Sequence, residues 1–273
     1  MPYRHAHWFV GFVLLVIMAG FWASYFGTAG TVPLAFHVHA ISAMTWLALL
    51  IGQHLTIQRR AHALHSQMGR ASFALFPFLI LGFVMILNGA AARYVATDAD
   101  EGIRFLGPSF GIGMGIAIAT YLLLYYLALK NRRNVRLHAG YMLATPLILF
   151  ESPFSRIIGD YLPWLNVIGS PFPRAVLDTI VISEALAIAF ALAIWAMNRK
   201  YGAPWLVAAA SMAIEAAAMW FAPDMPALGI AFAAYGRVPP AVTMMLGVAA
   251  GAAIAWAGWQ AGKLRPKRAA AAA

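Results

Sequence analysis

Apolar residues run along the chain in long blocks broken by short polar connections, without the alternation that a barrel strand needs. A block of about 20 residues crosses the hydrocarbon core of a bilayer. On that ruler the sequence predicts spans near 8–26, 36–57, 71–92, 105–129, 139–160, 175–197, 203–222 and 240–261. The expected fold class is all-α: one polytopic membrane helix bundle over residues 1–273, with about eight transmembrane helices. The first block follows Arg4 but exceeds the roughly 7–15 apolar residues of a secretory signal, so it is expected to remain as a helix. Between residues 222 and 240, Pro223, Pro226, Pro239 and Pro240 surround an apolar run at 228–234. The expectation there is a loop, with an interfacial helix or half-span as alternatives.

Composition strengthens this reading. Hydrophobic residues make up 63% and charged residues 10% of the chain, with a mean hydropathy of +0.76, which leaves too little polar surface for a soluble domain. No connection is long enough to fold as a separate soluble unit. The net charge of +10 is spread over short turns and does not form one basic face, so nucleic acid is not an expected partner; the lipid bilayer is. Arg4, Arg59, Arg60, Arg70, Lys130, Arg132, Arg133, Arg136, Arg199, Lys200 and a C-terminal group (Lys263, Arg265, Lys267, Arg268) fall on one side of an eight-span arrangement. Asp98, Asp100, Glu101 and Asp224 fall on the other, with Arg93, Arg104, Arg174 and Arg237. The positive-inside rule then places both termini in the cytoplasm, and the expected location is a bacterial inner membrane. The tail 269–273 is expected to be disordered.

The absence of cysteine removes thiolate metal sites, iron–sulfur ligation and thiol nucleophiles. Metal chemistry falls to histidine and carboxylate. His37 and His39 cannot share a helix face, because they differ by about 200°. His39 shares one with Trp46 and Gln53 at seven-residue spacing. His65 and His138 open the third and fifth spans at matching depth, each after an arginine-rich turn and a leucine: Leu64-His65 and Leu137-His138. Two histidines on separate helices at one depth are what axial ligation of a haem, or a shared metal, requires. Arg60, Arg70, Arg133 and Arg136 are available there as counter-ions to haem propionates. His54 lies near the inner end of the second span, and His5, His7 and His62 read as surface residues. Packing, capping and interfacial hydrogen bonding compete with ligation for all of these histidines.

Charged residues inside a span are functional hypotheses by default. Glu151, Glu184 and Glu215 fall at mid-depth of the fifth, sixth and seventh spans, with Arg156 and Asp178 nearer the outer edge. Arg156 is expected to pair with Asp178 or Glu184, and the glutamates could relay protons, bind a cation or stay hydrogen-bonded. There is no P-loop, no G-x-S-x-G elbow, no H-E-x-x-H, no di-iron histidine cluster and no paired-aspartate prenyltransferase motif.

The pattern His39-x6-Trp46-x6-Gln53, Leu64-His65-x3-Gly69, Leu137-His138, Pro153 and Arg156 resembles a widespread group of bacterial multispan membrane proteins with no established activity. The likeness covers roughly residues 36–160 and marks His39, Gln53, His65, His138 and Arg156 for testing. A looser resemblance is to transmembrane b-type cytochromes, from which the chain departs in giving His39 no histidine partner at the outer depth. Three function classes follow. The first is a redox protein holding haem b or a transition metal at His65 and His138, with Arg70, Arg133 and Arg136 nearby and a redox partner or small-molecule ligand. The second is a proton-coupled carrier using Glu151, Arg156, Asp178 and Glu184. The third is an intramembrane lipid or isoprenoid enzyme using His39 and Glu151.

Overall fold

The computed structural model describes residues 3–263, which form helices and turns with no strand among them. In chain order the helices are α1 (Ala6–Gly20), α2 (Leu34–Gln58), α3 (His62–Tyr94), α4 (Glu101–Lys130), α5 (Val135–Ile148), α6 (Glu151–Tyr161), α7 (Ala175–Met197), α8 (Ala203–Phe221), α9 (Pro226–Gly236) and α10 (Pro240–Ala261). Six of them, α2, α3, α4, α7, α8 and α10, are long and apolar enough to cross a membrane. The protein is an all-helical membrane bundle. At 33 and 30 residues α3 and α4 reach about 50 and 45 Å, longer than the roughly 30 Å hydrocarbon core, so their ends stand clear of it.

Helices come close where small residues permit it. Gly82 of α3 faces the backbone of His39 and the Ser42 hydroxyl on α2, and Gly251 of α10 faces the backbone of Pro77 on α3. Gly20, the last residue of α1, lies directly against the backbone of Pro153. That contact helps explain why α1 stops at Gly20 where the expected span continued to residue 26; the chain then turns into a 3₁₀ segment, Phe26–Thr31, rich in glycine and threonine.

The expected continuous span at 139–160 is two helices, α5 and α6, parted at Leu149 and Phe150. The prolines are the reason: Pro146 cannot donate to Met142, and Pro153 cannot donate to Leu149. Side chains take over carbonyls near the break, including the Met142 O that Pro146 leaves. Thr145 Oγ1 donates to Met142 O at 2.8 Å, and the Tyr121 hydroxyl of α4 donates to Thr145 O at 2.9 Å. The segment expected as a loop at 222–240 contains α9, eleven residues with Pro226 at its start. Its length of about 16 Å is half a crossing. Asn88 of α3 fastens it, accepting from Tyr235 at 2.6 Å and from Thr243 of α10 at 2.9 Å.

Contacts gather the basic turns at one end. His54 bonds Arg4 O, Tyr3 accepts from Trp205, Arg136 lies over Tyr201, and Arg133 donates to Gly262 O. This is the set that charge assigned to one side, as far as residues 3–263 reach; Arg265, Lys267, Arg268 and the tail 269–273 lie outside the described residues. The opposite end carries the ion pair Arg174–Asp224 at 2.8 Å, with Arg174 over Phe105 and Trp220.

Gly20→Val adds a branched side chain where the Pro153 backbone leaves no room, and overpacking of this kind costs about 1–3 kcal/mol. The variant is expected to lose its monodisperse elution profile at a lower temperature than the parent, and an unchanged profile would remove the contact's structural role.

Candidate functional site

Two hairpins build the site. In the first, α2 ends at the basic end in a Schellman turn: Arg60 N donates to Ile57 O and Ala61 N to Thr56 O, with Arg60 at φ 58° in the left-handed position that glycine usually takes. The chain reverses into α3 within four residues, and His65 comes back beside Gln53. The second hairpin, α4 to α5, turns at 131–134. Asn134 caps α5 by accepting from Leu137 N, and His138 comes back beside the end of α4.

Both imidazoles are anchored in the same way. His65 Nδ1 lies 3.3 Å from Gln53 O, and His138 Nδ1 lies 2.8 Å from Ala128 O, in each case a carbonyl of the preceding helix. A carbonyl only accepts, so Nδ1 carries the proton and Nε2 keeps its lone pair. Backbone anchoring at Nδ1 is the usual support of a ligating imidazole. Gln53 strengthens the first hairpin by donating from Nε2 to His65 O at 3.1 Å.

The two hairpins enclose a cavity of about 800 Å³ whose polar lining includes His54, His65, His138, Gln53, Arg70 and Arg132, with Trp259 on its α10 wall. Hydrogen bonds tie the helices together at and behind its inner end. Trp46 is completely buried and donates from Nε1 to Thr145 Oγ1 at 2.9 Å, joining α2 to α5. Tyr125 bonds Ser72 at 2.8 Å and stacks on Phe76 with centroids 4.0 Å apart. Beyond the Trp46–Thr145 bond, toward the basic end, residues of both α2 and α5 line the cavity. Arg70 and Arg132 are the lining residues that carry a formal charge. No carboxylate lines the cavity, so its field is positive. Arg132 lies over the Trp259 ring at 4.1 Å and donates to Leu129 O. Partial burial and the adjacent Arg133 hold its guanidinium below its usual range, still cationic at neutral pH.

The other sequence candidates lie elsewhere. Arg133 and Arg136 are engaged with Gly262 O and the Tyr201 ring and do not line the cavity. Charge spacing alone could not separate them from Arg132, which sequence reasoning passed over; the signal available was Trp259 on α10. His39 shares the inward stripe with Trp46 and Gln53 as expected, packs on Phe83 at 4.8 Å, and has a buried Nδ1 with no partner, but it does not line the cavity. His37 bonds Tyr25 at 3.1 Å. His7, expected at the surface, is part-buried and stacks on His54 at 5.1 Å. The expected pairing of Arg156 with Asp178 or Glu184 does not occur: Arg156 lies over the Phe21 ring, Asp178 accepts from Ser170 N at 2.7 Å, and Arg174–Asp224 is the only ion pair among the described residues. Among those residues, too, no three His, Asp or Glu side chains are placed to hold a metal ion.

No protein-family model, curated protein or solved structure matches the chain.

Thr145→Val removes the acceptor of a buried indole N–H and the donor to Met142 O while keeping the side chain's shape. Leaving a buried donor unpaired costs about 1–3 kcal/mol. The variant is expected to unfold at a lower temperature and to show altered emission from Trp46; matching melting curves and spectra would overturn the bond's role as a tie between α2 and α5 behind the cavity.

Proposed function

We propose that the protein is a membrane redox protein whose cavity would hold haem b through the His65 and His138 imidazoles. The observation that carries the reading is the paired anchoring of the two imidazoles, which leaves two Nε2 lone pairs on one cavity. A bare transition metal needs three or four protein ligands, whereas a haem brings four nitrogens and asks for two. His54 also lines the cavity, but its Nε2 is bonded to Arg4 O and, among the described residues, no three His, Asp or Glu side chains are placed to hold a metal; two anchored histidines therefore favour the macrocycle. The cavity's volume falls within the usual range for bound cofactors of about 300–1,000 Å³, and its apolar walls suit a porphyrin face. Arg70 and Arg132 are the cavity's cations and would pair the propionates, in place of Arg133 and Arg136.

Bound there, the haem supplies one-electron chemistry. The chain's own contribution is orientation and exclusion. Gln53 O and Ala128 O set both ring planes, the Trp46–Thr145 and Tyr125–Ser72 bonds tie the helices at and behind the cavity's inner end, and Leu49, Leu50 and Met142 keep water from the faces. The looser likeness to b-type cytochromes points the same way. The setting proposed with it is a bacterial inner membrane crossed eight times, α5 and α6 together making the fifth crossing, with both termini and the cavity on the cytoplasmic side and a redox partner docking there.

A reduced-minus-oxidised visible spectrum of detergent-purified protein from haem-replete cells tests the cofactor. A Soret band is expected, lost in His65→Ala and in His138→Ala and kept in His39→Ala; colourless parent protein would overturn the reading. Sidedness is tested separately, using the absence of native cysteine. In intact cells an impermeant thiol reagent is expected to label Val167→Cys and to reach Asn134→Cys only after permeabilisation. The reverse result would place the cavity on the other face.

A further inference from the structure

Glu151, Glu184 and Glu215 stand on three helices at one depth. Glu151 opens α6 and lies ten residues from its end at Tyr161; Glu184 lies nine residues into α7 from Ala175. Glu215 lies nine residues from Asp224, where its span ends. At about 1.5 Å per residue each is roughly 14–15 Å from the Arg174–Asp224 end, half of a hydrocarbon core about 30 Å thick. Helix α7 packs against both α6 and α8, which carry Glu151 and Glu215. Glu184 is 1% exposed and Glu215 6%. The Oε2 atom of Glu184 is fully buried with no hydrogen-bond partner.

The neighbouring helices offer no counter-ion at this level. Helix α1 carries only His7, α4 carries Glu101, Arg104 and Lys130 at its ends, and α5 carries Arg136 and His138 at the basic end. Asp178 and Asp160 are further acids. Arg156, on α6 itself, lies over the Phe21 ring and forms no ion pair. An unpaired carboxylate in an apolar interior costs several kcal/mol or more, so such a group must acquire a cation or a proton. Among the described residues no three His, Asp or Glu side chains are placed to chelate a metal, whereas a proton needs no further ligand from the protein, which favours the proton.

We propose that Glu151, Glu184 and Glu215 form an intramembrane proton-holding site, in which the three carboxyl groups keep exchangeable protons in place of a counter-cation. Each exchange is one O–H bond made or broken at a glutamate oxygen, with the proton going to or from water. Glu151 lies at the break between α5 and α6, where helix backbone already departs from regular pairing. The site is independent of the haem reading, and its test needs no chromophore.

Infrared difference spectra of the full-length protein in lipid bilayers, recorded through a pH titration, read protonated carboxyl groups directly. A protonated-carboxyl carbonyl band is expected at neutral pH. It should lose intensity in Glu184→Gln, with what remains titrating at lower pH because a like charge has been removed, and should persist in Asp178→Asn. If Glu184→Gln fails to assemble, Glu215→Gln makes the same measurement, and the parent spectrum alone decides whether a protonated carboxyl is present. A parent without the band at neutral pH, a band indifferent to both glutamine substitutions, or one that vanishes in Asp178→Asn would overturn the site.

Discussion

In an apolar bundle every backbone carbonyl and N–H must find its partner inside the protein, and the break between α5 and α6 is where that requirement is hardest to meet. Two prolines remove donors, Pro146 from Met142 O and Pro153 from Leu149 O, and the helix end at Ile148 leaves Thr145 O without its own i+4 partner. Thr145 answers with its hydroxyl to Met142 O, Tyr121 answers at Thr145 O, and Trp46 then uses the same hydroxyl as an acceptor. Three helices, α2, α4 and α5, are thereby fixed around one residue. The break sets where α6 begins, and so the depth of Glu151.

The repetition between the hairpins has a physical content that the shared Leu-His dipeptide only hinted at. In each, a helix reaches the basic end, reverses in a turn of three or four residues and returns with a histidine bonded to a carbonyl of the helix just left. The turns themselves differ: one is a Schellman closure with Arg60 in the left-handed region, the other is closed by Asn131, Arg132 and Asn134 side chains. Different local chemistry arriving at the same imidazole geometry is harder to attribute to helix starting alone than two matching dipeptides were.

Much of the bundle was legible because the hydrophobic blocks are long and the arginines lie in turns. The stripe His39, Trp46 and Gln53 was legible because heptad spacing keeps a helix face nearly constant, and all three turn inward. What escaped has specific causes. The α5–α6 break needed knowledge of who would accept and donate to the freed backbone groups, which depends on Trp46 and Tyr121 far away in sequence. Helix α9 escaped because four prolines read as turn signals, whereas Pro226 sits at a helix start where its missing N–H costs nothing. Arg132 was not separable from Arg133 and Arg136, since which of three arginines points at a cavity is decided by a tryptophan about 130 residues later. The Arg156 pairing failed because opposite charge at nearby depth says nothing about facing direction.

The distribution of charge bears on whether these groups are structural. Ion pairs buried for stability need good geometry and partners within reach, and are weak stabilisers even then. Here the ionisable groups in the interior are sorted instead of paired. The cavity holds histidines and arginines without an acid, the mid-depth level holds glutamates without a paired base, and the one ion pair among the described residues lies at the surface end of the bundle. A sequence that needed only packing at these positions would do better with leucine at every one of them. Keeping unpaired bases on one cavity and unpaired acids at another depth makes physical sense where something outside the chain completes each: an anionic or electron-accepting group for the first, and protons for the second.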